Sequence, residues 1–353
     1  MRRELFRWLG GVVLGTVVVG CLAPPFLGDI GQWQWLAELE RYGRPPGLVE
    51  RRRDEGWGTT RYGRYGIAGV EDLEAVPDPK LAIWGDSLVA ALQVPDEEKL
   101  AQQVTRLCKT RAGRVITGIG LGESGADAGD YYQLLPRYER LVSPAAHLIL
   151  LSDFADLEPN GETFVDAPAF ELRPGAPPVS GEGEVALRRE LARWHAELFY
   201  FPLKRVILDW REGAFRFALG RTERTVEPPA RVLPAPRDEA WAFVLTRLRE
   251  RTALPLAILY APAVPALVRG RVSLEDRYRP WAQRLREVAA ARGIDFVDAT
   301  PVLIADYRAT GELPRGFQNG RPGEGHFNAG GHRALAQAIC PWIEAKIDAV
   351  HAD

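Results

Sequence analysis

The chain has 353 residues, of which 46% are hydrophobic, so it is long and apolar enough for one large domain with an insertion or for two domains. Its 45 Lys and Arg against 47 Asp and Glu leave a net charge of −2, and this balance argues against a nucleic-acid partner. Three cysteines, Cys21, Cys108 and Cys340, are too few for a disulfide scaffold or a cysteine-rich zinc site.

The N-terminus carries the pattern of an export signal. Three arginines within the first eight residues precede an uncharged stretch, residues 9–27. Its uninterrupted apolar part, residues 9–23, is shorter than the roughly 20 residues of a bilayer span. The sequence Val-Val-Gly-Cys ending at Cys21 resembles the bacterial lipoprotein box, which implies lipidation of Cys21. Residues 1–27 are therefore interpreted as a signal peptide or as an uncleaved membrane anchor, and both interpretations place the rest of the chain outside the cytoplasm.

Residues 28–79 are interpreted as a lead-in segment ahead of the main domain. Trp33, Trp35, Leu36 and Leu39 stand at near-helical spacing and predict a short amphipathic helix. The rest of the segment is rich in Gly, Tyr and Arg, which predicts irregular structure.

From Lys80 onward, short apolar runs alternate with helical periods, and this alternation predicts βα units around a mainly parallel sheet. Residues 157–235 interrupt it with Pro- and Gly-rich stretches and are interpreted as an insertion. The predicted strands are residues 81–84, 114–119, 147–151, 254–260 and 294–297. The predicted helices are residues 96–110, 131–141, 238–252, 274–292 and 331–350.

Chemically suggestive residues follow three of these predicted elements. Gly85-Asp86-Ser87 ends the first strand, a glycine-rich turn at residues 120–125 follows the second, and Glu324-Gly325-His326-Phe327-Asn328 precedes the last helix. Ligands of open α/β sheets bind beyond the carboxyl ends of the strands. We therefore expect the three stretches to meet at one edge of the sheet.

These stretches resemble the sequence blocks of the SGNH (GDSL-like) hydrolase superfamily. The resemblance implies a flavodoxin-like three-layer α/β/α fold with a mainly parallel sheet over residues 80–353. It also implies that Ser87 is the nucleophile, that His326 is the general base and that Gly122 supplies a backbone oxyanion donor.

The chain departs from the family pattern at two places. Glu324 stands where the family has an aspartate before the histidine, so it is predicted to orient His326. Ala155 stands where the family has an asparagine that donates to the oxyanion. The predicted oxyanion hole therefore consists of the Ser87 and Gly122 N–H groups, with Asn160 as a substitute donor a few residues later.

The sequence thus predicts an exported, membrane-tethered serine esterase, with O-acetyl groups of an envelope or extracellular polysaccharide as the favoured substrate. An O-acetyltransferase or a lipid esterase would use the same Ser-His pair, and a catalytically silent scaffold or glycan-binding protein remains an alternative from another class. No metal or cofactor is predicted, because His147, His195 and His351 lack companions for a metal and no phosphate-binding glycine fingerprint is present. Cys108 and Cys340 are predicted to form a disulfide, and the oligomeric state is left open.

Overall fold

The computed structural model describes residues 2–22, 33–52, 55–158, 237–268 and 270–347. The predicted insertion, residues 157–235, therefore lies almost wholly outside the described residues. The strands are β1 (Gln34–Leu36), β2 (Arg41–Gly43), β3 (Val49–Arg51), β4 (Thr59–Arg61), β5 (Lys80–Gly85), β6 (Thr117–Gly122), β7 (Ala146–Leu151), β8 (Leu256–Tyr260), β9 (Ala266–Val268), β10 (Arg271–Ser273) and β11 (Asp295–Asp298). The α-helices are α1 (Arg2–Leu22), α2 (Ser87–Ala90), α3 (Leu100–Leu107), α4 (Ala128–Val142), α5 (Asp238–Glu250), α6 (Arg279–Ala290), α7 (Thr300–Thr310) and α8 (Ala329–Lys346).

Five parallel strands form the central sheet, in the order β6-β5-β7-β8-β11. Numbered along the chain, this is the order 2-1-3-4-5 of flavodoxin-like folds. Every residue of β5, β7 and β8 is buried, as expected for strands covered on both faces. The predicted mainly parallel sheet is confirmed.

Successive side chains of a strand point to opposite sides of the sheet, so an apolar strand makes both faces apolar. Helices cover both faces. On β5, Trp84 belongs to the hydrophobic cluster under α4, α5 and α6, whereas Ile83 belongs to the cluster under α3, α7 and α8. The molecule therefore has three layers, α/β/α, as predicted.

The lead-in segment differs from its prediction. Instead of an amphipathic helix, it contains two antiparallel pairs, β1 with β2 and β3 with β4. Strand β1 is identified by its pairing, with Gln34, Trp35 and Leu36 opposite Gly43, Tyr42 and Arg41, and Leu36 at its end is buried. Leu36, Leu39 and Ile67 belong to the same core cluster as Trp84, so the segment packs onto the main domain.

Further differences concern the boundaries of predicted elements and elements that were not predicted. The helix predicted from Asp96 begins at Leu100, because Asp96 lies in a 3₁₀ turn and its carboxylate accepts the N–H of Arg61. Helix α7 and the β9–β10 hairpin were not predicted at all, since their sequences lack a strong hydrophobic period.

A disulfide joins Cys108, at the end of α3, to Cys340 in α8, with the two Cα atoms 4.9 Å apart. The predicted bond is confirmed, and its physical basis is that both helices pack on one face of the sheet. Cys21 lies within α1. Among the described helices, none is both long enough and apolar enough to cross a membrane.

Candidate active site

Ser87 lies at the carboxyl end of β5, where the chain turns directly into α2. Asp86 caps this short helix by accepting the N–H of Leu88 at 2.8 Å. The turn packs tightly against β6, because a Cβ on Gly122 would stand 2.2 Å from the backbone nitrogen of Ala90. Glycine at position 122 therefore allows the Ser87 turn to approach β6, in which Gly122 pairs with Gly85 of β5.

His326 lies in the loop that precedes α8, residues 311–328, and backbone hydrogen bonds within this loop fix its shape. The carbonyl of His326 accepts the N–H of Gly316 at 2.9 Å, and Asn328 donates its N–H to the carbonyl of Pro314 at 3.0 Å. Asn328 also caps α8 through the N–H of Gly331. In this frame, Nε2 of His326 lies 3.0 Å from Oγ of Ser87. The structure therefore brings together the two residues predicted as nucleophile and base.

The carboxylate on the other side of His326 comes from Glu55. Its Oε2 lies 2.7 Å from Nδ1 of the imidazole, and its Oε1 accepts the backbone N–H of His326 at 3.2 Å. Because a carboxylate accepts, Nδ1 carries the proton and Nε2 presents its lone pair to the Ser87 hydroxyl. Ser87, His326 and Glu55 thus form a continuous hydrogen-bonded chain.

Glu55 is fixed by the turn around it. Gly56 exchanges two hydrogen bonds with the side chain of Asn319, at 2.9 and 2.8 Å. A Cβ on Gly56 or on Gly58 would stand 2.1 Å from a backbone carbonyl oxygen, that of Gln93 or Leu92 respectively. Glycine at positions 56 and 58 therefore allows this segment to pack against the chain that follows the Ser87 turn. The sequence analysis missed Glu55, and its two nearby glycines are a local signal that could have indicated this close contact.

The structure corrects the prediction for Glu324. Its side chain is 59% exposed and pairs with Arg321 at 3.6 Å, and it makes no contact with His326. Gly325, which has a φ of +77°, separates the two residues in a tight turn. That turn directs Glu324 to solvent while His326 points inward, so Glu55 occupies the place that the prediction gave to Glu324.

Of the predicted oxyanion donors, Ser87 and Gly122 lie within the described residues and Asn160 does not. Ser87 and Gly122 both stand at the carboxyl edge of the sheet, at the beginning of α2 and the end of β6. Ala155 supplies no side-chain donor, and its N–H is occupied by Oδ1 of Asp153 at 3.0 Å.

A small cavity of about 50 Å³ adjoins Gly122. It lies between the lead-in segment and the beginning of α4, and an ion pair between Arg41 and Glu123 lines it. Asp130 also lines it, and burial raises the pKa of this carboxyl. Within the part of the chain that the structure describes, no group of three or more His, Cys, Asp or Glu is arranged to hold a metal ion.

Comparison with known proteins gives only distant similarities. No protein-family model matches the chain, and no curated protein matches it. Among solved structures, the chain is similar to TesA, with 13% identity over 75% of this chain and 98% of TesA and a TM-score of 0.36. It is similar to a catalytic mutant of Axe2, an acetylxylan esterase from Geobacillus stearothermophilus, with 12% identity over 75% of this chain and 94% of that one and a TM-score of 0.37. A lipase/acylhydrolase from Enterococcus faecalis shows 16% identity over 76% of this chain and 96% of its own, with a TM-score of 0.35. Similarity at this level adds nothing to what the geometry of the site implies.

Proposed function

We propose that this protein is a serine hydrolase of the SGNH type that cleaves ester bonds, with Ser87, His326 and Glu55 as its catalytic triad. The observation that carries the proposal is the unbroken chain from Ser87 Oγ to His326 Nε2, at 3.0 Å, and from His326 Nδ1 to Glu55, at 2.7 Å. A serine hydroxyl is a weak nucleophile until a base removes its proton, and imidazole is the side chain suited to that role near neutral pH.

The geometry supports the following reaction. Ser87 Oγ attacks the ester carbonyl carbon while its proton passes to His326 Nε2, and the imidazolium that forms is stabilised by Glu55. The N–H groups of Ser87 and Gly122 are the backbone candidates for stabilising the oxyanion. Collapse of the tetrahedral intermediate breaks the ester C–O bond, and His326 returns the proton to the departing alcohol. Water, activated by the same imidazole, then releases the acyl group from Ser87 as a carboxylic acid.

We propose O-acetyl groups on an envelope or extracellular polysaccharide as the substrate. The export pattern of residues 1–27 supports a substrate outside the cytoplasm. The disulfide between Cys108 and Cys340 supports the same compartment, since such bonds persist in oxidising surroundings.

The test combines labelling with turnover. A fluorophosphonate probe is expected to label the wild-type protein and not Ser87→Ala, and only the wild type is expected to release acetate from p-nitrophenyl acetate. Equal labelling of both proteins would overturn the assignment of Ser87. Absence of labelling and of turnover in the wild type would favour the scaffold or glycan-binding alternative. Transfer of the acetyl group to an added sugar in preference to water would favour an acyltransferase.

A further inference from the structure

Arg315 is a buried cation beside the carboxyl ends of β7 and β8. Its Nη1 donates to the carbonyl of Gly325, the residue before His326, at 2.9 Å. Its Nη2 donates to Ser152 Oγ at 2.7 Å and to the carbonyl of Ala261 at 3.1 Å. Among the described residues Arg315 forms no ion pair. Burial lowers the pKa of Arg315 to about 10, and the negative charge of Asp86 partly opposes this shift. A guanidinium in this position links the loop of His326 to the carboxyl ends of β7 and β8.

Ser152 occupies a register position matching that of the nucleophile. Strands β5 and β7 are adjacent and parallel, with Trp84 opposite Ile149. Ser87 follows Trp84 by three residues, and Ser152 follows Ile149 by three residues, so both serines stand at the same level of the sheet edge. Neighbouring strands lie about 4.8 Å apart, which places the two turns side by side.

The hydroxyl of Ser152 is arranged as a donor. Its oxygen accepts a charge-assisted hydrogen bond from Arg315, and within the described residues its own O–H meets no acceptor. A hydroxyl whose oxygen is bound by a cation becomes a stronger donor through its proton. Ser152 is also only half-buried, unlike the adjoining residue Leu151 of β7.

We propose that the Ser152 hydroxyl is a third oxyanion donor, oriented and polarised by the guanidinium of Arg315, at the strand end where Ala155 supplies none. This inference rests on the proposed function. In it, Ser152 touches the developing oxyanion, and Arg315 is a positioning residue that acts through Ser152.

The experiment measures kcat and KM on p-nitrophenyl acetate for the wild type, Ser152→Ala, Ser152→Thr and a control, Ser273→Ala, on the β9–β10 hairpin. Loss of one oxyanion donor lowers kcat by about 10²–10³. We expect a loss of about this size for Ser152→Ala, with KM changed less than threefold. Ser152→Thr, which keeps the hydroxyl, is expected to retain at least a tenth of the wild-type kcat, and the control is expected to match the wild type.

A second measurement separates a catalytic role from a structural one. Phenylboronic acid forms a tetrahedral adduct with an active serine, so its inhibition constant is expected to rise in Ser152→Ala in proportion to the fall in kcat. Arg315→Lys is expected to lower kcat by a larger factor in the wild type than in the Ser152→Ala background, because the effect that passes through Ser152 is lost in that background while the effect that passes through Gly325 remains. If Ser152→Ala fails to fold, Ser152→Gly removes the same hydroxyl with a smaller residue.

The outcomes are distinct. Wild-type turnover together with an unchanged kcat in a folded variant lacking the Ser152 hydroxyl overturns this inference and leaves the proposed function intact. A wild type that neither turns over the ester nor reacts with the fluorophosphonate overturns both.

Discussion

Oε2 of Glu55 lies 2.7 Å from Nδ1 of His326, although the two residues are 271 positions apart in the chain. The segment ahead of the central sheet therefore completes the candidate triad, through a contact that also includes the His326 backbone N–H. Completion of the candidate triad thus depends on the docking of residues 55–58 against the turn that follows Ser87.

The first prediction concerns which glutamate orients the base. Glu55→Gln is expected to lower kcat on p-nitrophenyl acetate by about 10²–10⁴ with little change in KM, because the neutral amide stabilises the imidazolium poorly and can favour the wrong tautomer. Glu324→Gln serves as the control and is expected to stay within about twofold of the wild type, since that side chain faces solvent. The reverse order of effects would restore Glu324 as the orienting residue.

The second prediction uses two glycines with similar backbone conformations. Gly325 (φ +77°) and Gly293 (φ +65°) both become strained as alanine, at a cost of about 1–2 kcal/mol each. Only at Gly325 would the new Cβ meet Glu55, at 2.5 Å from Oε1, whereas the space around Gly293 is open. Gly325→Ala is therefore expected to lose at least tenfold in kcat, since small displacements of catalytic groups are costly. Equal activity of the two folded variants would show that Glu55 need not be held so closely.

The third prediction concerns stability in acid. His332 is fully buried in α8, and neither ring nitrogen has a hydrogen-bond partner among the described residues. Burial, with the nearby charges of Lys99, Arg315 and His326, lowers the pKa of His332 to about 3. The unfolded chain, in which histidine titrates near 6.5, binds this proton more readily. Stability is therefore lost as the pH falls from about 6.5 towards 3, by about 2 kcal/mol at pH 5.

His332→Leu removes this titration. Between pH 7.5 and pH 5.0, the wild type is expected to lose about 2 kcal/mol more unfolding free energy than the variant, as measured by urea denaturation at each pH. The comparison of slopes with pH is independent of any change in packing that leucine introduces. Parallel pH dependences of the two proteins would contradict the prediction.

The fourth prediction concerns the disulfide, which links residues 232 positions apart. Closing so long a loop restricts the unfolded chain, and native disulfides contribute about 2–5 kcal/mol. The double variant Cys108→Ala/Cys340→Ala is expected to lose this amount of unfolding free energy, as measured by urea denaturation. Its kcat at 25 °C is expected to be unchanged, because neither cysteine contacts the candidate triad. Dithiothreitol is expected to lower the stability of the wild type and to leave the double variant unchanged. Equal sensitivity of both proteins would indicate that the bond does not stabilise the fold.

The fifth prediction concerns residues 1–27. Their removal is expected to shift the protein from the membrane fraction to the soluble fraction, because they contain the long uncharged apolar stretch. Cys21→Ser is expected to do the same if the cysteine is lipidated, and mass spectrometry of the mature N-terminus would then find a modified Cys21. Unchanged fractionation on removal of residues 1–27 would contradict tethering by this segment.

Local patterns were sufficient to predict the central sheet and two members of the candidate triad, Ser87 and His326. The buried strands β5, β7 and β8 are largely apolar runs. The motif around Ser87 follows such a run, and the motif around His326 precedes the last helix. The sheet edge then brings these motifs together, because parallel strands share the edge at which their carboxyl ends lie. The disulfide could be anticipated for a related reason, since its two helices cover the same face.

The third member of the candidate triad, Glu55, was decided by tertiary structure alone. Sequence proximity favoured Glu324, two residues before His326, but the positive φ of Gly325 turns it away. A carboxylate needs only to reach within hydrogen-bond distance of Nδ1, and any segment that packs beside the imidazole can supply it. Periodicity and motif spacing describe neighbours along the chain. The contact of Glu55 instead depends on two backbone segments packing so closely that only glycine fits at positions 56 and 58.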